Sequence, residues 1–240
     1  MNEPKKILTR DPYEVWEIEP GFWSIEEGMV RCFLLEGEEY AILADTGLGG
    51  GDLKAVVSEL TNKPVRVFTT HGDGDHIMGH AAFGKAFVHP AEFASIERRD
   101  PGPAFELVPL WGGTLFDLGT RTLEVVELPG HTPGSMGLLD SDSGFLIGGD
   151  GFQSGPVFMF GAGRSVSALK ATAEMLQGRT DEFNRIYPSH GDLCIPAENL
   201  ADIIECARLY LAGELTKEDM DNGMPCKIVR YGKAAFYVDP

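Results

Sequence analysis

Basic residues are scarce: 20 Lys and Arg stand against 37 Asp and Glu in 240 residues, a formal net charge of −17. Such a balance repels phosphate backbones, whose affinity for proteins rests on Lys and Arg displacing counterions, so no nucleic-acid partner is expected. No run approaches the ~20 apolar residues of a membrane helix. The opening MNEPKKILTRDPYEVWEI has no apolar stretch of signal-peptide length. The expectation is a cytoplasmic chain with no membrane association. Cysteines are few, and Cys32, Cys194, Cys206 and Cys226 show no CxxC spacing, which reads as reduced packing residues. No Ser- or Pro-rich linker or low-complexity block divides the chain, so a single domain over 1–240 is expected. A GxSxG turn is absent too, which disfavours a serine nucleophile.

An apolar fraction of 43% and a charged fraction of 24% are those of a globular chain with a real core, and 30 glycines punctuate short apolar runs. In the first half VWEIE, MVRCFLLEG and EYAILADTG read as strands. Leu53, Val56, Val57 and Leu60, at i, i+3, i+4 and i+7, predict a helix over 53–60. The β-branched run Val65–Thr70 follows, with a helix expected over Ile77–Phe83. The second half repeats the theme: TLEVVELPG, GLLD, GFLIGGD and NRIYPSH as strands, SVSALKATAEML and ENLADIIECARLYLAG as helices, and CKIVRYGKAAFYV as a closing strand pair. On the last helix Leu200, Ile203, Ile204, Ala207 and Leu211 form one apolar face, which reads as core and is a candidate homodimer surface. Two β-rich halves, each followed by helices, predict an α+β fold of two packed sheets with helices on the outer faces.

Five apolar runs each end at a ligand-type residue in a Gly- or Pro-marked turn. They are AILADTG at Asp45, VRVFTTHGDGDH at His71 to His76, LEVVELPGH at His131, GFLIGGD at Asp150 and NRIYPSH at His190. Functional groups gather where strands end in loops. The segment His71-Gly72-Asp73-Gly74-Asp75-His76 offers four donors in six residues. In an extended loop 71, 73 and 75 share a side, with His76 opening the next helix. Imidazole nitrogen and carboxylate oxygen are the donors that suit first-row divalent metals. His80 and His89 read as structural, the first on a helix face or cap and the second at a strand end.

With these motifs in order the chain resembles the metallo-β-lactamase fold superfamily, which includes hydroxyacylglutathione hydrolases, lactonases and phosphodiesterases. The motifs are Asp45-Thr46-Gly47, the counterpart of HxHxDH at 71–76, Pro129 to Ser135, Gly149-Asp150 and Pro188-Ser189-His190. The resemblance implies a four-layer αββα sandwich and a site for two divalent metal ions. One ion would be held by His71, Asp73 and His131, the other by Asp75, His76 and His190, with Asp150 bridging; Asp45 would hold a ligand and its turn in place. The chain departs from the pattern at 73, where the family usually has His. The extra carboxylate makes the donor set harder, which suits manganese or iron, while zinc also accepts Asp. A Glu at this place in the flavodiiron branch accompanies iron.

The chemistry implied is hydrolysis of a small-molecule ester, thioester, lactone or phosphoester by a hydroxide held between the ions, with Asp75 orienting it and passing a proton. The alternatives are a flavodiiron-like oxidoreductase and a metal-stabilised binding or regulatory protein with little turnover. Phe22, Trp23, Met29, the segment Pro109–Trp111 and the loop Phe152–Phe160 are candidate substrate walls, with core packing the competing role for each.

Overall fold

The computed structural model describes residues 3–100, 102, 104–220 and 223–240. The chain divides into two compact units at Glu124/Val125.

The first unit is built on one eight-stranded sheet whose spatial order is its chain order: β1 Lys5–Arg10, β2 Tyr13–Glu19, β3 Phe22–Glu27, β4 Val30–Glu36, β5 Ala41–Ala44, β6 Val65–Phe68, β7 Lys85–Val88 and β8 Glu106–Pro109. Strands β1 to β5 pair antiparallel, and β5 to β8 pair parallel. The change of sense falls where tight hairpins give way to helical crossovers, which parallel pairing requires. Helix α1 (Leu53–Leu60) makes the first crossover, with Asp52 Oδ1 accepting from Ala55 N–H at 2.9 Å as its cap. Its Leu53, Val56 and Val57 pack with Val15, Ile25, Leu34, Leu43 and Val67 from the strands. Because β5 and β6 run parallel with Ala44 opposite Phe68, Asp45 and Thr69 leave the sheet at the same carboxyl edge. That edge is where loops of parallel sheets carry function.

Beyond β6 lie α2 (Gly74–Ile77), a 3-10 turn over His80–Ala82 and α3 (Phe93–Arg99). The helix expected over 77–83 is therefore earlier and broken. Gly79, between α2 and the 3-10 turn, sits against the Thr46 backbone, where a Cβ would come within 2.6 Å of the Thr46 carbonyl oxygen, so only glycine fits there. The period-two reading of 71, 73 and 75 likewise stops at 73, since Asp75 already lies inside α2.

Strand β9 (Leu115–Asp117) pairs with the first half of β10 (Thr122–Glu127), inside which the division falls. The second unit continues with β11 Met136–Asp140, β12 Phe145–Gly149, β13 Gly155–Met159, α4 Val166–Gln177, β14 Arg185–Pro188, β15 Ile195–Pro196, α5 Asn199–Leu211, β16 Glu218–Asp219, β17 Lys227–Tyr231 and β18 Ala234–Val238. Its larger sheet runs β15-β14-β12-β11-β10, and β13-β18-β17-β16 form a separate four-stranded sheet. Strands β12 and β14 are parallel with Gly149 opposite Pro188, so Asp150 and Ser189-His190 emerge side by side. Helices α4 and α5 bury Leu169, Ala173, Leu176, Leu200, Ile203, Cys206 and Ala207 in one cluster with Leu146, Ile186 and Phe236. On α5 the expected Leu200, Ile203 and Ala207 are buried and Ile204 packs against the same cluster, while Cys206 joins the buried face and Leu211 is exposed.

All four cysteines are free. Among the described residues no helix is long and apolar enough to cross a membrane. Phe22 and Trp23 are buried and so belong to the packing, whereas Met29 and Trp111 stand exposed.

Candidate metal centre

Asp45 follows β5 with φ 65°, in the left-handed region. Asp is among the few side chains that tolerate it. The turn points its buried carboxylate back at the end of β6. Oδ1 accepts from Thr70 N–H at 2.7 Å, and Oδ2 accepts from Thr70 Oγ1 at 2.7 Å and from His76 Nδ1 at 2.8 Å. The last bond places the His76 proton on Nδ1 and leaves Nε2 as the donor nitrogen. Thr70 gives its hydroxyl hydrogen to Asp45, so its oxygen accepts from His71 Nδ1, 3.0 Å away. One carboxylate thereby sets both imidazoles. Their rings lie 4.0 Å apart between centroids, tilted by 49°. His71 Nε2 lies 3.6 Å from Asp73 Oδ2, and His76 Nε2 lies 3.7 Å from Asp75 Oδ2.

Behind this group His80 is fully buried between two threonines, with Thr46 Oγ1 2.6 Å from Nδ1 and Thr69 Oγ1 2.8 Å from Nε2. Phe105 meets its ring edge-on at 5.0 Å. Burial pushes the imidazole down to about 4, so it is neutral. Both ring nitrogens are occupied, and Thr46 N–H in turn donates to the His76 carbonyl at 2.8 Å. His80 is thus a bridge between the Asp45-Thr46-Gly47 turn and the end of β6. Only threonines at 46 and 69 hinted at this in the sequence. His89 caps the 3-10 turn Pro90–Glu92, its Nδ1 accepting from Ala91 N–H at 3.2 Å.

In the second unit His131 sits in the loop joining β10 to β11. Its Nδ1 donates to the Phe158 carbonyl at 2.9 Å, and Arg164 Nη1 donates to the His131 carbonyl at 2.5 Å. Gly130 has φ 152°, and a Cβ there would come within 2.6 Å of Leu169 Cα, which is why glycine precedes the histidine. The buried Asp150 follows β12 and His190 follows β14. Asp150 Oδ2 is 3.2 Å from His190 Nε2 and 3.6 Å from His131 Nε2. Ser135, in the same segment as His131, hydrogen-bonds Thr132 at 2.7 Å as a turn residue.

Each unit therefore presents imidazole Nε2 atoms beside carboxylate oxygens, with the partner Nδ1 of His71, His76 and His131 anchored to hydroxyl, carboxylate or carbonyl. This is how metal-ligating histidines are oriented. Two atoms each about 2.0–2.1 Å from one tetrahedral ion lie about 3.3 Å apart. The four pairs, at 3.2–3.7 Å, scatter around that value, and three exceed the ~3.2 Å limit of an ordinary N–H···O bond. The donors fit a divalent ion. Arg99, which the sequence did not single out, donates from Nη2 to Asp73 Oδ1 at 2.7 Å.

The sequence matches the family model described as the metallo-beta-lactamase superfamily over residues 25–190. The chain belongs to that superfamily and is, in general class, a metal-dependent hydrolase. It is 30% identical over 151 residues to the uncharacterized protein YobT of Bacillus subtilis (strain 168), covering 52% of this chain and 62% of that one. It is 25% identical over 215 residues to the acyl-coenzyme A thioesterase MBLAC2 of Homo sapiens, covering 70% and 77%. A hydroxyacylglutathione hydrolase of Synechococcus sp. (strain JA-2-3B'a(2-13)) is 29% identical over 132 residues, covering 54% and 48%. The chain thus spans less than two thirds of the first and third of these relatives. Among solved structures, the metallo beta lactamase from Erythrobacter litoralis aligns with TM-score 0.68 at 16% identity, over 84% of this chain and 98% of that one. At that identity the likeness is one of fold: the chain has the α+β metallo-beta-lactamase fold.

Proposed function

We propose that this chain is a dinuclear metallohydrolase that cleaves a small-molecule acyl ester, with a thioester as the first class to test. His71, Asp73, Asp75, His76, His131, Asp150 and His190 are its ligands, shared between two divalent ions as the family resemblance implies. The observation that carries this reading is that imidazole Nε2 atoms stand 3.2–3.7 Å from carboxylate oxygens within each unit, while the opposite nitrogens of His71, His76 and His131 are anchored. Bound by these residues, divalent ions would supply Lewis acidity that lowers the pKa of water toward neutrality and polarises the bond attacked.

The protein's own contributions follow from its contacts. Asp45 fixes the tautomers of His76 and, through Thr70, of His71. Asp75, partly exposed at the N-terminal turn of α2, orients the attacking water and carries its proton toward the leaving group. A thiol leaving group, with a pKa of about 8.5, asks less of that acid than an alcohol does. The half-exposed Phe158, whose carbonyl holds His131, stacks near Phe160 at 5.7 Å and edge-on to Tyr237 at 4.8 Å. This aromatic surface seats the acyl group. Two relatives bear names for hydrolysis of acyl compounds, an acyl-coenzyme A thioesterase and a hydroxyacylglutathione hydrolase. The net charge of −17 favours the less anionic carriers among such substrates. The test is a panel of acyl thioesters, carboxylic esters, lactones and phosphoesters assayed with metal-loaded protein. Thioester hydrolysis abolished by a chelator and restored by metal is expected, and no turnover on any member would overturn the reading.

A further inference from the structure

Helix α3 and Glu92, the residue that caps its start, grip the loop that carries His71 and Asp73 along one face. Glu92, Ile96 and Arg99 stand at i, i+4 and i+7. Glu92 Oε2 accepts from Gly72 N–H at 2.9 Å. Ile96 lies under Gly72, where a Cβ would come within 2.9 Å of its Cγ1. Arg99 completes the row. Its Nη1 donates to Ser95 Oγ one turn back at 2.5 Å, which aims Nη2 at Asp73 Oδ1, 2.7 Å away. The other oxygen, Oδ2, is the one 3.6 Å from His71 Nε2.

We infer that Arg99 is a positioning residue that makes Asp73 a one-oxygen ligand, so that the Asp73–Arg99 pair takes the place of a neutral imidazole and keeps the site selective for zinc over manganese. The inference rests on the dinuclear reading above. A free carboxylate can chelate through both oxygens, which raises the coordination number and suits larger, harder ions; zinc is satisfied by four ligands. With Oδ1 committed to a guanidinium, Asp73 offers one donor, as imidazole does. The charges of the pair cancel, as imidazole has none. Simple surface pairing adds little to stability, so stability is the wrong readout and metal preference the right one.

The experiment measures zinc and manganese affinities of the full chain by competition with a chromophoric chelator. The proteins are wild type, Arg99→Gln, Arg99→Lys, Asp73→His and the Asp73→His/Arg99→Gln double variant. Losing a positive charge favours every dication alike, so the zinc-to-manganese ratio isolates the effect of denticity. Arg99→Gln should lower that ratio by about tenfold, the low end of what partners of metal ligands contribute. Arg99→Lys should fall between, since a lysine keeps the charge without the planar fork. In the Asp73→His background removal of Arg99 should leave the ratio unchanged. A wild-type ratio in Arg99→Gln, or an equal fall in both backgrounds, overturns the inference. If wild type binds two ions and the ratio does not move, only this inference fails; if wild type binds none, the dinuclear reading fails with it.

Discussion

Asp45 Oδ2 accepts the Nδ1 proton of His76 at 2.8 Å across 31 positions of sequence, and the aspartate holds φ 65° to do so. A residue outside the proposed ligand set thereby decides which nitrogen of His76 is left free of the proton as a donor. Asp45→Asn keeps the size and tolerates the same backbone, but replaces an acceptor of three hydrogen bonds with a weaker, partly donating one. Metal affinity should fall by about 10–100-fold while the fold persists. Zinc titration against a competing chelator, with circular dichroism as the fold control, reads both. Unchanged affinity would remove Asp45 from the role given to it.

His80 makes stability depend on pH. Its folded-state value of about 4 lies below the ordinary 6.5, so between those limits the unfolded chain binds more protons and stability rises with pH. The contribution is complete above about pH 6.5 and gone below about pH 4, and 2.5 pKa units correspond to about 3 kcal/mol. Urea unfolding of metal-stripped wild type and His80→Asn at a series of pH values isolates this slope by difference. Parallel curves for the two proteins across the window would refute the buried, neutral imidazole.

Gly130 and Gly84 separate collision from conformation. Both have positive φ, but a Cβ at Gly130 meets the Leu169 backbone at 2.6 Å, whereas nothing lies within 4 Å of one at Gly84. Gly84→Ala should cost only the left-handed penalty of about 1–2 kcal/mol. Gly130→Ala should cost more, about 3 kcal/mol or above, and displace His131 with it. Equal losses in chemical denaturation would contradict the close approach of helix α4 to this loop.

Much of this was legible in the sequence because the proposed ligands stand at or just after the ends of short apolar runs, and a parallel strand delivers its next residue to a fixed edge. Asp45 and Thr69 after β5 and β6, and Asp150 and Ser189 after β12 and β14, follow from register alone. What escaped depends on contacts far apart in sequence. Helix α2 starts at Gly74, so the alternation read at 71 and 73 does not reach 75, and Gly79 lies against Thr46, over thirty residues earlier. His80 lies one helical turn from a proposed ligand by count yet is sealed between Thr46 and Thr69. Phe22 and Trp23, candidate substrate walls by composition, pair in register with Leu35 and Leu34 of β4 and are covered. Arg99 was invisible because an ion pair 26 positions long carries no periodic signal.

The central claim is that these histidines and aspartates hold two divalent ions. Elemental analysis of the purified chain after loading with zinc, manganese or iron and removal of excess metal measures it directly. Two ions per chain are expected, falling when His76 or Asp150 is replaced by alanine. Fewer than one ion per chain under every loading condition would contradict it.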